Sequence, residues 1–201
     1  MTYNFHTIIF IAILGVLTFS GCDSNDPQKE DVPELITKAT LTFTPASGTP
    51  IIATATDPDG EGVQSIKTDG PIVLQKSTSY VLSITLINGL AAPTDVEYDV
   101  TGEVEKEGDE HMFFFSWTGN AFQAPDGDGN IDRRADRVDY TSLDSQGLPL
   151  GLTTSWKTAD IATQGATFRI LLKHQPMLKS TTSSSSDGET DLDVSFDLRV
   201  D

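Results

Sequence analysis

The sequence predicts an all-β domain, a two-sheet antiparallel β-sandwich of Ig-like or jelly-roll-like form, with a closed barrel as the alternative. Three observations lead there. From residue 39 onward apolar residues recur with a period of two, as in strands that bury one face. Clusters of Asp, Pro, Gly and Ser separate the alternating runs, and no segment carries a convincing 3.6-residue stripe. The 201 residues are 37% hydrophobic, which is enough for one core that needs no disulfide staples.

The N-terminus reads as an address. Residues 8–19, IIFIAILGVLTF, are too short for a membrane span of about 20 residues and suit the apolar region of a secretory signal. Phe19-Ser20-Gly21-Cys22 resembles the lipobox of a bacterial lipoprotein signal peptide, and Cys22 is the only cysteine. The expectation is that residues 1–21 are removed and that Cys22 carries the lipid anchoring the chain to the outer membrane. Residues 22–34 are polar and acidic, with Pro27 and Pro33, and read as a tether. Within them Lys29-Glu30-Asp31 resembles a surface-export signal of lipoproteins, although a solvated linker accounts for the same residues.

Residues 35–201 then form the single predicted domain. Ala39, Leu41 and Phe43 share one strand face, and residues 51–56 form a second strand ending at the turn Asp57-Pro58-Asp59-Gly60. Tyr80, Leu82, Ile84 and Leu86 make the next strand, and Val96, Tyr98 and Val100 alternate with acids as another. His111 to Trp117 is nearly all apolar, a pattern expected of a strand buried on both faces. Val138 and Tyr140 lead through Asp144-Ser145-Gln146-Gly147 to a return strand at 150–156. Ala166, Phe168, Ile170 and Leu172 alternate, a Ser-rich loop occupies 180–186, and the closing strand spans 190–200. Its even-numbered residues from Leu192 to Val200 point in, and Asp191, Asp193, Ser195, Asp197 and Arg199 point out.

Charge narrows the function. Thirteen basic against thirty acidic residues give 13 − 30 = −17, so phosphate backbones repel the chain and nucleic acid is excluded as a partner. No Walker loop, dinucleotide fingerprint, G-x-S-x-G or H-E-x-x-H is present, and a lipidated Cys22 is no nucleophile. A binding protein is therefore expected rather than an enzyme.

Three acidic segments suggest cation sites. Loss of the signal leaves His111 and His174 as the two histidines, each at the end of a strand. If those ends meet, imidazoles plus oxygens from Asp109, Glu110, Glu189 or Asp191 would suit zinc or another divalent metal. Asp126, Asp128, Asn130 and Asp132 alternate as calcium ligands do, but Ile131 and Arg137 occupy the places an EF-hand reserves for Gly and Glu. Asp57, Asp59 and Glu61 form a weaker version of the same idea.

GDEHMFFF at 108–115, DYTSLDSQGLPLGL at 139–152, LKHQP at 172–176 and DGETDLDV at 187–194 together resemble a family of small Bacteroidota outer-membrane lipoproteins. Members of that family are often labelled type 1 periplasmic binding fold proteins. The resemblance spans nearly the whole chain, implies a lipid-anchored envelope protein, and leaves residues 123–137 as an insertion. It supplies no activity to carry over. The expected function is a non-enzymatic accessory protein presenting a metal ion or small ligand, with a TonB-dependent receptor as candidate partner. The alternative is a structural or adhesive surface domain with no small-molecule ligand.

Overall fold

A computed structural model describes residues 34–60 and 65–201. The signal segment, Cys22, the tether to residue 33 and Glu61 lie outside the described residues. Among those described, no helix is long and apolar enough to cross a membrane.

Strands take 45% of the residues and helix 6%, and two sheets face each other as a β-sandwich. Eleven strands are present among the described residues: β1 (Lys38–Pro45), β2 (Ile51–Thr56), β3 (Lys67–Thr68), β4 (Ile72–Leu74), β5 (Ser79–Ile87), β6 (His111–Trp117), β7 (Phe122–Ala124), β8 (Asp139–Tyr140), β9 (Thr153–Thr158), β10 (Thr163–His174) and β11 (Glu189–Val200). The first sheet runs β3-β2-β1-β5-β9-β7, with β8 also on β9, and curls as a half-barrel. The second runs β4-β11-β10-β6 and stays open. All these pairings are antiparallel except β4 with β11.

The period of two has its expected consequence. Ala39, Leu41, Phe43, Leu82 and Leu86 from one sheet meet Phe113, Phe115, Phe168, Phe196 and Leu198 from the other, and all ten are fully buried. Trp156 holds the aromatic centre, 5.1 Å from the rings of both Trp117 and Phe168 in edge contacts. Such edge-to-face packing places ring hydrogens against the π faces, which stabilises each pair beyond the area buried.

β6 is buried on both faces, for two different reasons. Its odd residues enter the main core, and Met112 and Phe114 form a second cluster with Ile131 and Leu171. Ile131 comes from the loop between β7 and β8, which covers the outside of the sheet. That loop also closes the free edge of β6: Trp117 N–H donates to Asp128 O, and Asn130 N–H to Phe115 O. The segment read as an insertion is therefore a cover for an otherwise open strand edge.

One expected strand is a helix. Val96–Tyr98 is a 3-10 turn, with Val96 exposed, and Val100–Lys106 is an α-helix, α1. Asp99 caps it by accepting from Gly102 N–H, and Val100 and Val104, one helical turn apart, carry its buried face. Two apolar residues in seven give too short a stripe to outweigh the Val96-Tyr98-Val100 alternation. Thr101 then docks the helix, its hydroxyl bonding both N–H and C=O of Leu86 where β5 ends.

The outward face assigned to β11 fails at Asp191. Leu172 faces Leu192 but Lys173 faces Thr190, so β11 carries one extra residue there. Such a bulge re-aims side chains, and the Asp191 side chain is fully buried. The bulge puts an acid inside the sandwich.

Candidate metal centre

His111 begins β6 and His174 ends β10, and the antiparallel register sets them directly opposite each other. Cross-strand neighbours have Cβ atoms only about 4.5–5.5 Å apart, so the rings stack at 4.6 Å and within 5° of parallel. Both are buried at the end of the core, in line with the inward faces of their strands. The glycine after the serine loop makes room for this junction. Gly188, at φ +74, would place a Cβ 2.0 Å from the His174 carbonyl oxygen.

The end of α1 supplies the third group. His111 Nδ1 lies 3.1 Å from the Glu107 carbonyl oxygen. A carbonyl only accepts, so Nδ1 carries the proton and Nε2 keeps its lone pair. One ligand atom from each of Glu107, His111 and His174 lies within 4.8 Å of the others. This end of the sandwich is a candidate metal centre. A single ion bound at about 2.0–2.2 Å tolerates ligand separations up to about 4.2 Å, so only side-chain-scale closure is needed. Comparison with known protein families, curated proteins and solved structures gives no match for this chain.

Three further carboxylates lie near the rings. Asp191 Oδ2 lies 3.5 Å from His111 Nε2, Glu34 Oε1 3.9 Å from the same atom, and Glu110 Oε2 3.5 Å from His174 Nε2. Such spacings exceed a hydrogen bond. They approach the edge of about 3.4 Å between two ligands of one tetrahedral ion. Among the described residues, neither Nε2 has a hydrogen-bond partner.

Of the oxygens expected from sequence, Glu110 and Asp191 therefore reach the imidazoles. Asp109 and Glu189 are exposed, although Glu189 is paired in register with His174. Glu107 and Glu34 were not among the expected ligands. Glu34, assigned to the tether, instead packs against the domain with its side chain only 14% exposed. The i, i+4 spacing of Glu107 and His111 was visible, but it has meaning only once a helix end precedes the strand.

Burial sets the protonation of the cluster. It pushes Glu34 up to about 8, helped by the nearby charges of Glu103 and Asp191. It pushes Asp191 up to about 6 and His111 down to about 4. Near neutral pH Glu34 therefore keeps its proton, Asp191 is largely ionised and His111 is neutral, the state in which imidazole binds a metal. A cleft of about 230 Å³ reaches Glu34 and Asp191 from outside and is also lined by Asp57 and Asp193. Its acids draw cations inward.

Asn130 turns inward, its Oδ1 accepting from Phe115 N–H and its Nδ2 donating to the Tyr140 hydroxyl. Asp126, Asp128 and Asp132 are exposed. This buried asparagine ties the cover loop down, which commits its oxygen to the backbone. At the Asp57 loop, Asp59 N–H donates back to Asp57 Oδ1 in an Asx-type turn, and Glu61 lies outside the described residues.

The carboxyls give the metal-free protein a defined pH response. Raised groups stabilise the fold below their unfolded pKa and lose that contribution as pH rises through the folded value. Lowered His111 does the opposite and offsets Asp191 in the acid range. Across pH 6.5 to about 8 the contribution of Glu34 to stability falls with rising pH. One proton over that window gives at most about 2 kcal/mol, and solvent screening leaves about 1, or roughly 3 °C in Tm. Calorimetry in chelator should show this decline, and Glu34→Gln should flatten it. An equal decline in the variant would exclude Glu34 as its source.

Proposed function

We propose that this chain is a lipid-anchored, non-enzymatic binding protein of the cell envelope that holds a divalent transition metal, zinc by donor type, between His111, His174 and Glu107. The observation that carries the reading is the pair of buried imidazoles, directly opposite across β6 and β10, with a carboxylate in reach. Two nitrogens and one oxygen leave one position of a tetrahedral ion for water or a partner's ligand. Such an open position suits delivery of the ion, and an outer-membrane transporter of the TonB-dependent class is the partner proposed.

Calorimetric titration of the detergent-solubilised chain with zinc tests the site. Uptake at micromolar concentration or below is expected, with a loss of at least about 100-fold in His111→Ala and in His174→Ala. Circular dichroism of each variant checks folding, and Glu107→Gln gives a milder perturbation with the same sign. At a hundred times Kd, zinc should add about 2.7 kcal/mol of stability. No uptake at micromolar zinc, or unchanged binding by both histidine variants, would leave the rings a purely structural stack.

The anchor is tested separately. Cys22→Ala should move the protein from the membrane fraction to the soluble fraction without changing zinc affinity. Retention of the variant in the membrane would overturn the lipid-anchor reading and leave the metal reading intact.

A further inference from the structure

The cover loop between β7 and β8 carries three arginines within five residues, and their surroundings differ. Arg133 pairs with Asp136 at 3.6 Å, and Arg137 pairs with Asp139 at 2.7 Å. Arg134 makes no ion pair among the described residues, and its Nε is shielded from solvent without a hydrogen-bond partner there. In a chain with thirty acids and a net charge of −17, that is a conspicuous omission. A shielded N–H donor with no acceptor is costly, and an anion arriving from outside would relieve that cost.

A cavity lies at that spot. An open groove of about 560 Å³ is lined by Arg134, Asp136, Arg137, Val138, Tyr140 and Pro149, within the usual volume range for small-ligand pockets. We propose that this cavity binds a small organic carboxylate, its charge taken by the Arg134 guanidinium and its apolar body packed on Val138, Tyr140 and Pro149. A guanidinium meets a carboxylate through two parallel N–H bonds, and a turn of the half-exposed Arg134 side chain brings Nε–H to the groove as one donor of this fork. The charge count favours a carboxylate over a phosphate. Arg137 is already neutralised by Asp139, and the lining Asp136 by Arg133, so one uncompensated positive charge faces the cavity and matches a monoanion. The site shares no residue with the imidazole cluster and stands independently of the metal reading.

Proton–nitrogen correlation spectra of the full chain in detergent resolve arginine Nε–H groups and read the site directly. Sodium benzoate is the probe, with sodium chloride at matched ionic strength and sodium phosphate as comparisons. Saturable movement of the Arg134 Nε–H signal is expected at Kd near or below about 1 mM, with smaller movement at Arg133 and Arg137. Arg134→Lys keeps the charge but loses the fork, and benzoate affinity should fall about tenfold while zinc binding is unchanged. No movement of Arg134, or equal movement of all three arginines, would overturn the proposal. Phosphate binding as tightly as benzoate would also overturn it, because the apolar lining would then contribute nothing.

Discussion

Lys179→Met is expected to destabilise the domain by about 3–5 kcal/mol, the usual cost of leaving one partner of a buried ion pair alone. Lys179 Nζ lies 2.8 Å from Asp144 Oδ2, with the two side chains 1% and 0% exposed. The same ammonium donates to the Gly108 carbonyl, between Glu107 and the start of β6. Three separate segments thus meet at one charge: the serine loop, the β8–β9 turn and the approach to the metal centre. Asp144 cannot simply turn to solvent, because it also receives the N–H groups of Gln146 and Leu148 in its own turn. Adding Asp144→Asn to Lys179→Met removes the stranded charge, keeps those turn bonds, and should recover part of the loss. Urea denaturation of both variants measures it. A cost below about 1 kcal/mol for Lys179→Met would mean that water reaches the pair, contrary to its burial. Zinc affinity should fall about tenfold in the single variant, since the backbone beside Glu107 loses its support.

Gly129→Ala is the second substitution with a large expected effect, a loss of about 3 kcal/mol or more. At φ +101 the residue sits where side chains are strained. A Cβ there would lie 2.0 Å from the Phe115 carbonyl oxygen and 2.6 Å from Ser116 Cα. These atoms are all β6 backbone, which cannot yield, so the cover loop must lift from β6. Its bonds at Phe115 and Trp117 would go, and water would reach Met112 and Phe114. Gly127→Ala is the internal control: φ is +96, but a Cβ added there would meet nothing within 4 Å, so only conformational strain is added. Hydrogen exchange at Trp117 should accelerate in Gly129→Ala and stay slow in Gly127→Ala. Equal costs for the two variants would show that the close approach to β6 contributes nothing.

The strands were legible because burial on one face writes itself into a period of two. Leu82 to Leu86 and Leu192 to Val200 show it directly, and the seven residues from His111 showed two-sided burial as an unbroken apolar run. What the pattern could not reveal depended on contacts distant in the chain. β3, β4 and β7 are two or three residues long, too short to alternate, and exist because a longer strand lies beside them. Helix α1 owes its place to Thr101 gripping the end of β5. The site was legible to the same depth. Both histidines fell on inward faces at strand ends, so their meeting was a matter of register. Glu107 needed the helix, and Glu34 needed the fold of a segment that composition alone assigns to a linker. Asp191 needed the bulge, because strict alternation turns it to solvent.

The parallel pairing of β4 with β11 has a consequence for how the chain is made. Residues 72–74 have their partner at 198–200, and β11 lies inside its sheet between β4 and β10. The open sheet therefore cannot assemble until its most C-terminal strand has been synthesised. Contacts so distant in sequence slow folding, since a long loop must close before they contribute. A nascent chain in that condition keeps this sheet open until its last strand has emerged.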